Sequence, residues 1–142
     1  MKTLFPKAIR HRRLQLEHLE ERQMLSITQA DFDIIRAQNP DLNLSANLSS
    51  YNQIDITTLT AANLRTAIST ASSSAGNDLI ILRTSSGQNN TISLGGTELG
   101  IGLNSSGSNV TVQGGITIVS FGDETLTLDA GGSSRVFNIG NH

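Results

Sequence analysis

The fold is decided between Asp78 and Asn141, where the sequence is DLIILRTSSGQNNTISLGGTELGIGLNSSGSNVTVQGGITIVSFGDETLTLDAGGSSRVFNIGN. Short apolar segments alternate there with turns of Gly, Ser and Asn, and almost no charge intervenes. From Thr91 onward the apolar residues recur at every second position, which is typical of β-strands with one buried face. The pattern predicts strands at Leu79–Leu82, Thr91–Leu94, Leu99–Leu103, Val110–Val112, Ile116–Val119, Leu126–Leu128 and Val136–Ile139.

Strands this short and closely spaced fit either a sandwich or a parallel β-helix. The β-helix is favoured because the chain contains no Asn-Gly or Asp-Gly hairpin pair, and because an apolar-faced helix is predicted from Thr60 to Ala71, just before the first strand. The open end of an apolar bore needs a cap, and this helix is a candidate for it. The predicted fold class is mostly β: a short right-handed parallel β-helix with an N-terminal capping helix, preceded by one or two helices.

The upstream region contains two further helix signals. Thr28 followed by Asp31 forms a variant capping box for a helix that Asn39-Pro40 ends, and residues 10–25 have a charged amphipathic pattern. Asp31 is interpreted as a first-turn carboxylate that favours the helix dipole, not as a metal ligand. The predicted organisation is a basic and acidic leader or tail at 1–27, a short helix and polar connector at 28–50, and the β-helix cap with its first coils at 51–142.

Composition narrows the classes of function. The first 25 residues carry a net charge of +3, whereas the rest of the chain carries −5, so the folded part has no basic groove for nucleic acid. Cysteine is absent, which removes disulfides and thiolate ligands. No apolar run is long enough to span a membrane. The Ser-, Thr-, Asn- and Gly-rich surface favours export, which predicts a secreted or cell-surface location.

The cap and strand region resembles the start of extracellular right-handed parallel β-helix proteins of the pectate-lyase-like architecture. The matching residues are the cap run Asn63-Leu64-Arg65-Thr66-Ala67-Ile68, the step Ala75-Gly76-Asn77-Asp78-Leu79-Ile80, and the later segments Val110–Val112, Leu126–Asp129 and Ser134–Ile139. The cap departs from the family's Ser-Leu-Arg-Glu-Ala-Ile at Asn63 and Thr66, and an upstream cysteine is missing. The resemblance implies a β-helix, and polysaccharide lyases of this architecture use calcium-binding aspartates with a basic catalytic residue.

A second resemblance concerns the first domain. The run Leu16-Glu17-His18-Leu19-Glu20-Glu21-Arg22-Gln23-Met24-Leu25-Ser26 is similar to the N-terminal leader of large secreted or surface proteins of planctomycete bacteria. This resemblance implies that the run is a targeting or processing segment. The run lacks the apolar core of an ordinary export signal.

Side chains that could carry chemistry are scattered. The histidines are His11, His18 and His142, all in predicted tails, and the late acids Asp123, Glu124 and Asp129 stand at turns or strand edges. Arg83 and Arg135 are expected to form coil-edge ion pairs with Asp78 or Asp129. The sequence therefore predicts no catalytic, cofactor-binding or metal-ligating residue, no cofactor and no enzymatic activity.

The favoured function is a non-catalytic structural or adhesion module of a secreted or cell-surface β-helix protein. The alternative is a carbohydrate-binding or polysaccharide-cleaving β-helix fragment, and a third possibility is a tail that binds a membrane surface or a partner. The strands stop at Gly140 without a second cap, so the expected partners are a polysaccharide or further β-helix coils at the open C-terminal end. An isolated chain is expected to be marginally stable, or to pair through that end.

Overall fold

The computed structural model describes residues 26–103 and 107–140. Two α-helices, two short 3-10 turns and seven strands follow one another in this part of the chain. The elements are α1 (Gln29–Gln38), the 3-10 turns Pro40–Leu42 and Leu48–Ser50, β1 (Tyr51–Ile56), α2 (Ala61–Ser73), β2 (Asn77–Thr84), β3 (Thr91–Ser93), β4 (Leu99–Ile101), β5 (Ile116–Gly122), β6 (Thr127–Asp129) and β7 (Phe137–Ile139).

Both predicted helices of the described region are confirmed. Thr28 caps α1, with a complete capping box in which its hydroxyl accepts from the Asp31 backbone N–H and the Asp31 side chain accepts from the Thr28 backbone N–H. Thr60 caps α2 by accepting from the Asn63 backbone N–H. The amphipathic helix predicted over residues 10–25 lies outside the described residues.

The strands form three small parallel sheets that the chain visits twice in the same order. The first passage lays down β2, β3 and β4, and the second adds β5 to β2, β6 to β3 and β7 to β4. The strand β1 joins the other side of β2, so this sheet has three strands and the other two have two strands each. The register pairs Ile80 with Ile118, Ile92 with Leu128 and Leu99 with Phe137.

Two hydrophobic clusters hold these sheets and helices together. The larger one combines Leu64, Ala67, Ile68 and Ala71 of α2 with inward-facing residues of β2, β3 and β4. The smaller one packs α1 on the other face of β2, where Phe32 and Ile35 meet Leu79 and Ile81. Because adjacent residues of a strand face opposite sides, the continuous apolar run of β2 serves both clusters. Burial of one such side chain stabilises the fold by about 1.5–3 kcal/mol.

The predicted fold class, a short right-handed parallel β-helix, is wrong. The described residues form three short parallel sheets of two or three strands, with 26% helix and 33% strand and no solenoid. The physical reason is the small size of the sheets: with two or three strands each, they leave both cores to be completed by a helix, α2 in the larger cluster and α1 in the smaller one. Periodicity in a sequence reports which face of a strand is buried, but not what buries it.

Individual strand boundaries also need correction. The predicted strand Val110–Val112 is not a strand; the Val110 N–H donates to the Gly102 carbonyl at 2.9 Å, and the flanking Asn109 and Gln113 form isolated bridges to Leu103 and Ala75. This segment links the two passages. The strand β2 is longer than predicted because it pairs on both sides.

Candidate functional site

A groove between β1 and α2 is a candidate site in the described part of the chain. It has a volume of about 270 Å³ and is lined by Ile54, Asp55, Ile56, Thr57, Thr58, Asn63, Thr66, Ala67 and Thr70. The threonines follow from local structure, since β1 leads through an exposed turn into the cap of α2 and then along one exposed side of that helix. The groove thus offers hydroxyl and amide groups, and no aromatic ring is among these lining residues.

Three of the six polar side chains that line the groove make hydrogen bonds within the protein. The Asn63 amide donates to the Thr58 carbonyl at 2.9 Å, and the Thr70 hydroxyl donates to the Thr66 carbonyl at 3.0 Å. Asp55 accepts from Arg83. The side chains of Thr57, Thr58 and Thr66, all exposed, remain for a ligand.

The ion pair between Arg83 and Asp55 ties β1 to β2. The Arg83 Nε lies 2.8 Å from Asp55 Oδ1, and the two side chains are 26% and 10% exposed. The same guanidinium lies 5.9 Å from the ring centroid of Phe121 on β5. Arg83 thereby contacts both neighbours of its own strand, which favours parallel register across all three.

A second arginine joins the two passages at the sheet formed by β4 and β7. The Arg135 Nε lies 2.8 Å from Glu98 Oε2, and the Asn138 amide donates to the other oxygen of the same carboxylate. Glu98 directly precedes β4. Arg135 lies two residues before β7, and Asn138 is within β7. The predicted partners of both arginines, Asp78 and Asp129, are therefore wrong: register brings Asp55 and Glu98 to them instead.

Arg65 anchors α2 to the turn after β3. Its guanidinium donates to the backbone carbonyls of Leu94 at 3.1 Å and Thr97 at 2.7 Å. Such charge-assisted bonds satisfy carbonyls that the turn leaves without a strand partner. Sequence reasoning gave this residue no role beyond its place in the cap run, because its partners lie about thirty positions downstream.

Asp78 is the buried acid of the described region. It is 1% exposed, and both carboxylate oxygens lie 2.7 Å from the Ser74 hydroxyl, which can donate its one hydrogen to either of them. Ser74 is the C-cap of α2, and Asp78 stands at the start of β2. The contact therefore fixes the junction between helix and strand. The sequence signal for it was an acid immediately before a fully apolar run.

The remaining acids do not converge. Asp123 and Glu124 are exposed after β5, and Asp129 on β6 accepts the Gly131 N–H at 2.8 Å. Across residues 26–103 and 107–140, no group of three or more His, Cys, Asp or Glu side chains could hold a metal ion. His11, His18 and His142 lie outside the described residues.

The electrostatics of Asp31 reflect its structural role. The backbone N–H of Thr28, followed by the Thr28 hydroxyl, lowers the pKa of the Asp31 carboxyl from its ordinary value because both donate hydrogen bonds to the carboxylate. This is the first-turn carboxylate that the sequence predicted.

Comparisons with known proteins identify no relative: no family model, curated protein or solved structure matches this chain. Within the described ranges, none of the helices combines the length and the apolar character needed to cross a membrane.

Proposed function

We propose that this chain is a non-catalytic structural or adhesion module of a secreted or cell-surface protein. The observation that carries the proposal is the use made of its charged side chains. Arg83 with Asp55 and Arg135 with Glu98 bridge neighbouring strands, and Arg65 holds α2 to a turn. Side chains committed to such contacts stabilise the arrangement of the sheets and are poorly placed to transfer protons to a substrate.

The amino-acid composition supports the proposed secreted or cell-surface location. A surface dominated by Ser, Thr, Asn and Gly, with 15% charged residues against about 25% in an average soluble domain, is common in exported β proteins. Partners of such a module are a polysaccharide surface, or further strands that pair with its free sheet edges. The leader-like segment at 16–26, nearly all of which lies outside the described residues, motivates the same proposal.

The experiment is a panel of neutral and acidic polysaccharides, assayed for both binding and cleavage with the full chain. A structural module gives no new reducing ends and no unsaturated products with any of them. Release of oligosaccharides that grows with protein concentration would overturn the proposal. Arg135→Met serves as a structural variant. It should lower the stability of the chain and leave the binding and cleavage results of the panel unchanged.

The groove between β1 and α2 favours carbohydrate binding as the second candidate function. Its hydroxyl-rich lining matches the hydrogen-bonding character of sugars, although sugar sites commonly add a stacking ring. If it binds a polysaccharide, Thr66→Trp, which fills the groove, should abolish retention on that polysaccharide. Ser69→Trp is the matched control, because Ser69 is an exposed residue of the same helix and is not part of the groove lining. Equal retention of both variants would remove the groove from consideration.

A further inference from the structure

The polar connector after α1 contains the run Asp41-Leu42-Asn43-Leu44-Ser45. An Asn-x-Ser/Thr triplet is the acceptor motif for N-linked glycosylation when its middle residue is not proline. Transferases of the bacterial type also require a carboxylate two positions before the asparagine, which pairs with a cation of the enzyme. The connector therefore holds a complete acceptor motif, with Asp41 as the acid, Asn43 as the acceptor and Ser45 as the hydroxyl residue.

The acid distinguishes this triplet from the others in the chain. A sequence rich in Asn, Ser and Thr contains such triplets by chance, and five occur, beginning at Asn43, Asn47, Asn89, Asn104 and Asn109. The residue two positions upstream is Asp41 for the first triplet, a serine for the second and a glycine for the other three. The triplet alone therefore carries no argument, and the acid restricts the complete motif to Asn43.

The motif lies on the exposed surface of the connector. No residue between α1 and Leu48 is buried, and the acid, the acceptor and the hydroxyl residue are all exposed. Asn43 ends the 3-10 turn Pro40–Leu42 in the left-handed conformation, with a φ of 45°. Asparagine adopts this conformation more readily than most residues that carry a side chain. The acceptor amide thus stands at an exposed bend of the chain.

The side chains of the motif are only weakly engaged within the protein. The Asp41 carboxylate forms no hydrogen bond or ion pair with the residues that the structure describes. The Asn43 amide donates to the Asp41 carbonyl at 3.4 Å, a long contact, and the Ser45 hydroxyl donates to the exposed Ser50 hydroxyl at 3.2 Å. A shorter contact, from the Ser45 N–H to the Tyr51 hydroxyl at 2.8 Å, uses the backbone and leaves the side chain of the motif available.

The next triplet, Asn47-Leu48-Ser49, shows the opposite situation. Leu48 is 8% exposed within the smaller hydrophobic cluster, and its N–H donates to the Gln29 side chain at 2.9 Å. An acceptor segment has to leave the protein surface to enter the active site of a transferase. Moving this triplet would pull Leu48 out of the core, which costs about 1.5–3 kcal/mol, whereas the Asn43 triplet contains no buried residue.

We propose that Asn43 is a site of N-linked glycosylation by an oligosaccharyltransferase of the bacterial type. In the reaction the Asn43 Nδ2 atom forms a bond to C1 of the first sugar of a lipid-linked oligosaccharide, while the bond from C1 to the pyrophosphate oxygen breaks. The lipid pyrophosphate leaves with the electron pair of that bond, and the amide gives up one proton to a base of the transferase. This inference rests on the secreted or cell-surface location in the proposed function, because such transferases act on exported chains.

The experiment is transfer onto the folded full chain by a purified bacterial oligosaccharyltransferase supplied with its lipid-linked oligosaccharide. The intact mass should rise by one oligosaccharide, and peptide mapping should assign it to Asn43. Asn43→Gly removes the acceptor amide but tolerates the left-handed turn, so this variant should stay unmodified.

Two further positions test the motif around the acceptor. Asp41→Asn removes only the charge and should slow transfer about tenfold or more, whereas Asp41→Glu should retain it. Asn47→Gln is the matched control in the same connector and should be modified like the wild-type chain. Far-UV circular dichroism checks that each variant is folded.

A peptide of residues 39–47 is the positive control for the transferase. A wild-type chain that stays unmodified while this peptide is modified would overturn the proposal. Equal transfer to the wild-type and Asp41→Asn chains, or transfer to Asn47 as fast as to Asn43, would do the same. Because the components are purified, failed transfer leaves the structural or adhesion role untouched, whereas polysaccharide cleavage overturns that role and leaves the transfer result unchanged.

Discussion

The two passages of the chain through the three sheets have similar patterns and different environments. Ile80 and Leu99 of the first passage are fully buried, whereas their register partners Ile118 and Phe137 are partly or substantially exposed. The first passage lies between α2 and the second passage, and the second has strands on one side only. Equal hydrophobicity thus yields unequal burial, because burial depends on what lies on both sides of a strand.

The largest expected difference in stability between the two passages follows from truncating a pair of isoleucines in register. We expect Ile80→Ala to lower the free energy of unfolding by about 3 kcal/mol, since it opens a cavity in a closed core. Ile118→Ala should cost about 1 kcal/mol because its side chain already meets solvent. Urea denaturation followed by circular dichroism measures both. Equal losses would contradict the difference between the passages.

The close approach between the passages can be tested at adjacent glycines. A Cβ on Gly114 would lie 1.6 Å from the Gly76 carbonyl oxygen, which is backbone, whereas a Cβ on Gly115 would lie 3.2 Å from the Asn77 side-chain oxygen. Gly114→Ala should therefore cost about 2 kcal/mol and Gly115→Ala less than about 1 kcal/mol. The midpoints of thermal unfolding report both variants. A Gly114→Ala chain as stable as Gly115→Ala would place the linking segment further from β2.

The smallest expected effect concerns α1, which supports the outer face of β2. The folded-state pKa of Asp31 is lowered, so its capping contribution is present at neutral pH and is lost as the pH falls through that lowered value. We expect Asp31→Ala to cost about 0.5–1 kcal/mol at neutral pH. The stability difference from the wild-type chain should vanish in acid. A difference that does not change with pH, in denaturation curves recorded over a pH series, would exclude the carboxylate as its source.

Local features of the fold were predictable because they depend on near neighbours. Thr28 with Asp31 and Asn39 with Pro40 set the ends of α1 through contacts within a few residues. The position of α2 follows from apolar residues at helical spacing, and six of the seven predicted strands overlap observed ones. The seventh, Val110–Val112, failed because alternation alone does not supply a partner strand.

The charged contacts were not predictable in the same way. Arg83 meets Asp55 from 28 positions away and Arg135 meets Glu98 from 37 positions away, and both pairings depend on the register of parallel strands. Asn138 donates to the same Glu98 from 40 positions away. Register is a property of the assembled sheets, so no local window of sequence contains it.

The sequence by itself determined the helix ends, the apolar faces of the strands and the sparse, dispersed charge, because each depends on residue type and short-range spacing. Only the tertiary structure decided that the strands form three small parallel sheets instead of a β-helix, and that helices complete both cores. It also decided which passage is buried and which arginine meets which acid. The physical reason is that burial and pairing are relations between distant segments, and their free energy exists only once the chain has brought those segments together.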